Sequence, residues 1–165
     1  MTKYYFAYGS NMSEEQMKER CNYIPEVVGI GKIRGYIFVY NGYSSKWGGA
    51  TADIIKTDNE EDVVWGVVYE ISENCEKSLD EKEGFKNKDP NKGTYKKIYV
   101  CVDIRDGSII PAYTYIKPDG QQKTNIGNPS DRYRNTIVEA ARKHGLPEDY
   151  IKNFLERRVE EGTNG

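Results

Sequence analysis

Histidine is almost absent from this chain: its 165 residues hold one, His144. A Ser-His-Asp triad or a Cys-His dyad would need that residue. Its place in a His-Gly pair is explained by capping and by the favourable meeting of a cation with a helix C-terminus. Cysteine is scarce too. Cys21, Cys75 and Cys101 are odd in number and widely spaced, with no CxxC among them. That argues against a secreted disulfide framework and against a zinc site. No Walker loop and no GxGxxG is present, and no apolar run approaches the roughly 18 residues of a membrane span. The first residues lack the apolar core of a signal peptide, so a reducing cytoplasm is the expected setting. Neither sign of charge dominates: 24 basic residues stand against 26 acidic ones, for a net charge of −2. A broad electrostatic footprint for nucleic acid or anionic lipid does not follow from such a balance. Phenylalanine is rare, with four against fourteen tyrosines. Tyrosine buries a ring while offering a hydroxyl, which suits strands and wet pockets.

What is present reads as one domain over residues 1–165. Lys3 to Tyr8 is short and aromatic, a strand. Gly9-Ser10-Asn11 breaks it, and Ser13 with Gln16 three residues on has the form of a capping box opening a helix from Glu14 to Arg20. Val27 to Ile33 and Gly35 to Tyr40 are two further β-rich runs, followed by a loop from Asn41 to Gly49. Ala50 to Lys56 and Val63 to Ile71 are expected to form a hairpin about residues 57–60. Ser72 caps a helix reaching Glu83, which ends at Gly84. Asn87 to Lys92 is a surface loop. Thr94 to Asp103 and Ser108 to Lys117 predict another hairpin, about Asp106-Gly107. The polar stretch Pro118 to Asn128 is a loop or flap. Helices from Ser130 to Lys143 and from Pro147 to Arg158 follow, and Glu160 to Gly165 is expected to fray. The expected class is α+β: a small mixed, mainly antiparallel sheet, curled or closed like a barrel, with helices around it.

With histidine, thiols and metals set aside, chemistry must run on carboxylates, hydroxyls and backbone amides. Two segments offer it. In Tyr8-Gly9-Ser10-Asn11, glycine lets the backbone turn and approach a ligand. The following amides lie at a helix N-terminus, where unpaired N–H groups favour negative charge. The same residues also read as an ordinary strand-to-helix turn. In Leu79-Asp80-Glu81-Lys82-Glu83-Gly84, Asp80 and Glu83 share a helix face. Glu83 sits at the helix C-terminus, where the dipole repels an anion and raises a carboxyl's pKa. A raised pKa is what a carboxyl needs for proton exchange near neutrality. The competing reading is a solvated charge run.

Taken in order, the segments carry a family resemblance. Tyr5-Phe6-Ala7-Tyr8-Gly9-Ser10-Asn11-Met12 resembles the N-terminal signature of the γ-glutamylcyclotransferases. Trp47-Gly48-Gly49-Ala50-Thr51, Val64-Trp65-Gly66-Val67-Val68 and Leu79 to Gly84 match further stretches of that family. So do Tyr113-Thr114-Tyr115, Pro129 to Tyr133, and Gly145 to Tyr150. The stretch Lys86 to Lys92 departs from the pattern and is longer than in the animal enzymes.

The resemblance implies a γ-glutamylcyclotransferase-like fold and a ring closure. The α-amine of a γ-glutamyl compound attacks its own side-chain carbonyl, giving 5-oxoproline and a free amine, without metal or cofactor. It implies Glu83 as the acid/base. It also implies a substrate-contacting set of Tyr8, Gly9, Ser10, Asn11, Met12, Tyr115 and Tyr133, the tyrosines serving equally well as core. The expected partner is a small γ-glutamyl molecule, with a homodimer compatible and neither nucleic acid nor membrane involved. A related cyclotransferase acting on another γ-glutamyl amide, such as a protected antibiotic precursor, and a non-enzymatic carboxylate-binding module stay open. Asn11 argues against the γ-glutamyl-lysine and glutathione-specific groups, which tend to carry leucine there.

Overall fold

The structure is a computed structural model, and it describes residues 3–118 and 127–158. Among the described residues seven strands and four α-helices follow one another. They are β1 (Lys3–Ala7), α1 (Glu14–Cys21), β2 (Glu26–Arg34), β3 (Tyr36–Tyr40), β4 (Ala52–Lys56), β5 (Val63–Ile71), α2 (Glu73–Lys82), β6 (Lys96–Ile104), β7 (Ile109–Ile116), α3 (Asp131–His144) and α4 (Glu148–Tyr150). Five strands close a barrel in the order β1-β5-β2-β6-β7, and β3 with β4 forms a separate two-stranded sheet. All neighbours are antiparallel except β1 and β7, which meet in parallel at Tyr5 and Tyr113. The class expected from the sequence, a mixed and mainly antiparallel barrel with surrounding helices, is therefore the one observed.

Phe6, Val67, Val68 and Val102 carry no exposed surface. Val67 and Val68 are consecutive and point to opposite faces of β5, so both faces of that strand are covered. A closed barrel leaves none of its five strands with a free edge. That closure explains one departure from expectation. β4 and β5 do not form a hairpin: β5 is paired along one edge with β1 and along the other with β2. β4 pairs with β3 instead, with Phe38 opposite Ile54. The connection between β4 and β5 folds back on Gly35, whose carbonyl accepts from the Thr57 amide and whose own amide donates to Asp62. The β6–β7 hairpin forms as expected, with Tyr99 opposite Tyr113.

The helices are placed by local signals. Ser13, Ser72 and Ser130 each accept, through the side chain, from the amide three residues on. This relieves an orphan donor at each N-terminus and is worth about 1 kcal/mol. Gly145 ends α3 in the left-handed region (φ 81°). Tyr133, Ile137, Val138, Ala140 and Ala141 form the buried stripe of α3, which packs on the Ser10–Met12 turn and on Ile151–Leu155. Leu79 and Cys75 do the same for α2. The last helix is shorter than expected: α4 gives way to a π-helical stretch, Ile151–Leu155, which still buries Ile151 and Leu155. The expected flap over 118–128 falls almost wholly, and the expected fraying of 160–165 wholly, outside the described residues. No helix among the described residues is long and apolar enough to cross a membrane.

The cysteines bring a second correction. Cys21 at the end of α1 and Cys75 in the first turn of α2 are joined by a disulfide, 54 residues apart in sequence. The two helices pack on each other, which brings two distant cysteines to 4.6 Å between Cα atoms. Cys101 is free and exposed.

Candidate active site

β1 delivers the chain into a short 3-10 turn, Ser10–Met12, before α1 begins. The Met12 amide donates to the Gly9 carbonyl and the Ser13 amide to the Ser10 carbonyl. The amides of Gly9, Ser10 and Asn11 find no acceptor among the described residues. A Cβ at Gly9 would lie 3.2 Å from the Ala52 Cβ, so glycine lets the loop settle against β4. Ser13 caps α1 as expected, but Gln16 does not complete a capping box. Its side-chain nitrogen instead donates to Ser10 Oγ at 2.6 Å and to Asn11 Oδ1 at 2.7 Å. That bond fixes which way the Asn11 amide faces. Asn11 Nδ2 points at the Tyr5 hydroxyl (3.0 Å) and at Glu83 Oε1 (3.4 Å).

Glu83 reaches the same point from α2. It is the C-cap of that helix, and the turn beyond it is a Schellman motif. The Phe85 amide donates to the Asp80 carbonyl and the Gly84 amide to the Glu81 carbonyl. Gly84 takes φ 65°, and a Cβ there would meet Thr94 Oγ1 at 2.7 Å. Glycine is thus required twice over, by the backbone and by the close approach of Thr94. The motif holds the Glu83 side chain over the cavity. Asp80, expected on the same face, is directed elsewhere: its carboxylate accepts from the Tyr115 hydroxyl and pairs with Lys97 Nζ at 2.9 Å.

The Glu83 carboxyl is pushed up to about 7. Burial is the main cause, opposed by the charges of Arg20 and Lys117 and by the Asn11 hydrogen bond. The helix-end argument from sequence gave the right direction, but desolvation in the cavity is what moves the group. Burial likewise holds the hydroxyls of Tyr5, Tyr8 and Tyr95 well above their ordinary value, so they stay protonated.

The loop and Glu83 open onto one cavity of about 260 Å³. Tyr5, Gly9, Ser10, Asn11 and Glu83 line it, with Arg20 and Lys82 from the ends of α1 and α2. Trp47, Thr51, Tyr95, Tyr115, Lys117 and Tyr133 complete the lining. The Tyr8 hydroxyl donates to the Tyr115 carbonyl. Tyr133 accepts from the Ala52 amide at 2.9 Å, which leaves its own proton available. All three expected tyrosines therefore line the cavity and brace it. Met12 does not line it: its side chain is fully buried, and its carbonyl accepts from the Tyr69 hydroxyl and lies 2.8 Å from His144 Nε2. His144 thus holds the turn from behind and is not part of the cavity wall. Among the described residues no cluster of three or more His, Cys, Asp or Glu could hold a metal ion.

A carboxyl poised near neutrality, facing a loop of unpaired amides, is suited to moving a proton beside a carbonyl whose oxygen gains charge. Comparison with known proteins points the same way. A model of the AIG2-like family matches residues 63–154. Mouse γ-glutamylcyclotransferase is 30% identical over 150 residues, which cover 88% of this chain and 73% of that protein. The bovine γ-glutamylcyclotransferase is 31% identical over 156 residues, covering 91% and 76% respectively. The chain belongs to the γ-glutamylcyclotransferase family. A solved γ-glutamyl cyclotransferase structure superposes with a TM-score of 0.82 at 26% identity, covering 100% of this chain and 92% of the other. Of the γ-glutamylcyclotransferase motifs noted in the sequence, the loop after β1, the Trp47 segment, the end of α2, Tyr115 and Tyr133 line one cavity, while the 64–68 and 145–150 stretches and Tyr113 do not. Tyr5, Gln16, Arg20, Tyr95 and Lys117 belong to the site without having been singled out. Their one signal was indirect: Gln16 and Arg20 are a helical turn apart, but nothing local says which face of α1 meets a cavity.

Proposed function

We propose that the chain is a γ-glutamylcyclotransferase, closing the γ-glutamyl group of a small substrate into 5-oxoproline and releasing the amine. The observation that carries the reading is the Glu83 carboxyl, raised to about 7 and set against the Gly9–Asn11 loop across a single cavity. Family membership agrees with it.

The nucleophile is in the substrate, so no serine, cysteine or histidine is needed. The cavity folds the γ-glutamyl group so that its α-amine approaches its own δ-carbon, an orientation effect worth several kcal/mol. Glu83, ionised, takes a proton from the α-amine as the new C–N bond forms. The carbonyl oxygen gains charge and is met by the amides of Gly9, Ser10 and Asn11. Glu83 then hands its proton to the departing nitrogen as the old amide bond breaks. Proton and electron pairs balance, and no water is consumed. The buried tyrosines keep their protons at neutral pH, so they hydrogen-bond and do not compete as bases. Tyr8, Tyr115 and Tyr133 shape the wall, and Asn11 holds the carboxylate in line.

Glu83→Gln keeps the fold and loses ring closure by about 10³-fold, within the range usual for a missing acid/base. The assay is 5-oxoproline release from a panel of γ-glutamyl compounds, wild type beside variant. Activity within a few-fold of wild type in the variant would remove Glu83 from the mechanism. The expected setting is the cytoplasm. There Cys21 and Cys75 would be held as thiols, so alkylation of freshly lysed cells followed by mass measurement tests the setting.

A further inference from the structure

We propose that Arg20 is a specificity residue that grips the α-carboxylate of the substrate's γ-glutamyl group; the inference rests on the cyclotransferase reading above. Arg20 stands in the last turn of α1, four residues after Gln16, so the two share a helix face. Gln16 is fastened to Ser10 and Asn11, which turns that face toward the cavity. The Arg20 side chain lines the cavity one turn further along. Its Nε is buried and has no partner among the described residues. Arg34 pairs with Asp103, Arg142 with Glu148 and Glu156, and Arg158 with Asp131 at the surface. Arg134 has a buried, unpartnered Nε too, but its guanidinium pairs with Asp131 and does not line the cavity. A buried donor without an acceptor is costly unless a ligand supplies one. A guanidinium presents a planar fork matched to a carboxylate.

Chemistry selects which carboxylate. Of the charges that oppose burial at Glu83, that of Arg20 is the strongest. A cation so close to the base is close to whatever the base deprotonates. The α-amine and the α-carboxylate are borne on the same carbon, so an amine that faces Glu83 holds its carboxylate close by, where a guanidinium lining the same cavity can meet it. A carboxylate on the amine side of the substrate lies beyond the scissile bond and has no such obligation. Gripping the α-carboxylate also fixes the rotation that aims the amine at the δ-carbon, which makes Arg20 an orienting group as well as an anchor.

The test uses Arg20→Ala and Arg20→Lys with three substrates: γ-glutamyl-alanine, its α-carboxamide analogue, and γ-glutamyl-ethylamine, which lacks the amine-side carboxylate. Arg20→Ala should lower kcat/KM about 100-fold, mostly through KM, for the two substrates that keep the α-carboxylate. Arg20→Lys should recover part of that loss. With the α-carboxamide, wild type and Arg20→Ala should be equally poor. The acid limb of the pH profile should move upward in Arg20→Ala, because a charge that favours ionised Glu83 is gone. A penalty that persists with the α-carboxamide overturns the proposal. So does a penalty that disappears with the ethylamide, since Arg20 would then read the amine side. Calorimetric binding of 5-oxoproline and of its carboxamide gives a reading independent of turnover. Arg20→Ala should weaken the acid about 100-fold and leave the amide unchanged, and equal binding of the acid to both proteins overturns the inference. Wild-type protein that makes no 5-oxoproline from any substrate brings down the cyclotransferase reading itself, an outcome distinct from an active enzyme indifferent to Arg20.

Discussion

Keeping Glu83 ready for proton transfer has a cost that can be measured without substrate. The group titrates near 4.5 when exposed and near 7 in the folded protein. Between those values the native state binds a proton that the unfolded chain does not. Stability contributed by the protonated, buried carboxyl is therefore fully present below about pH 4.5 and is lost as pH rises through 7. Moving from about 4.5 to about 7 corresponds to roughly 3 kcal/mol. Above pH 7 the ionised group burdens the fold by that amount, because Arg20, Lys117 and Asn11 repay only part of the desolvation. Glu83→Gln removes the charge and keeps the shape. At pH 8 the variant should be more stable than wild type by about 3 kcal/mol, or about 6–12 °C in Tm for a chain of this size. The advantage should shrink steadily toward pH 5, although both proteins weaken there as other carboxylates protonate. Urea unfolding of the pair at half-unit intervals reads the difference directly. A variant no more stable than wild type at pH 8, or an advantage that grows as pH falls, would refute the reasoning. The same titration predicts an acid limb near pH 7 in the kcat/KM profile, with Glu83→Gln flat across it.

Gly84→Ala meets both a left-handed backbone and the Thr94 hydroxyl at 2.7 Å. It should cost about 1–3 kcal/mol and lower kcat through displacement of Glu83, checked by denaturation and 5-oxoproline release on the same sample; unchanged kcat would mean that the cap does not aim the carboxyl. Reduction of the Cys21–Cys75 bond opens a loop of 54 residues. By the chain-entropy estimate it should remove about 4 kcal/mol and about 10 °C of Tm, read by scanning with and without a reductant, while Cys75→Ser should show no response to the reductant.

What could be read in advance followed how local the signal was. The turn after β1 and the Glu83-Gly84 stop are written in consecutive residues, and both stand where expected. The serine caps were legible for the same reason. Strand pairing is not a local property. Ala52–Lys56 and Val63–Ile71 look like a hairpin because they are neighbours in sequence. Yet β5 is held on both edges by strands from elsewhere, and β4 is left to β3. The pKa of Glu83 was assigned the right direction for an incomplete reason, since burial depends on Tyr5, Tyr95 and Tyr115 arriving from distant segments. Arg20 and Gln16 were invisible as site residues because an amphipathic reading of α1 does not reveal that its buried face looks into a cavity. The disulfide was missed because 54 residues separate two cysteines that only the packing of α1 on α2 brings together.

The position of β1 in the barrel carries a consequence for how the molecule comes into being. Its five residues precede all of their partners, which lie at residues 67–71 on one side and at Tyr113 on the other. Pairings of such sequence separation form slowly, because a long loop must close before any contact repays it. The Gly9–Asn11 turn hangs from the end of this strand, so it reaches its working position only when the barrel shuts. Catalytic competence is therefore among the last properties the chain acquires as it folds. Recovery of activity during refolding should lag the return of helical signal and coincide with closure of the β1–β7 seam.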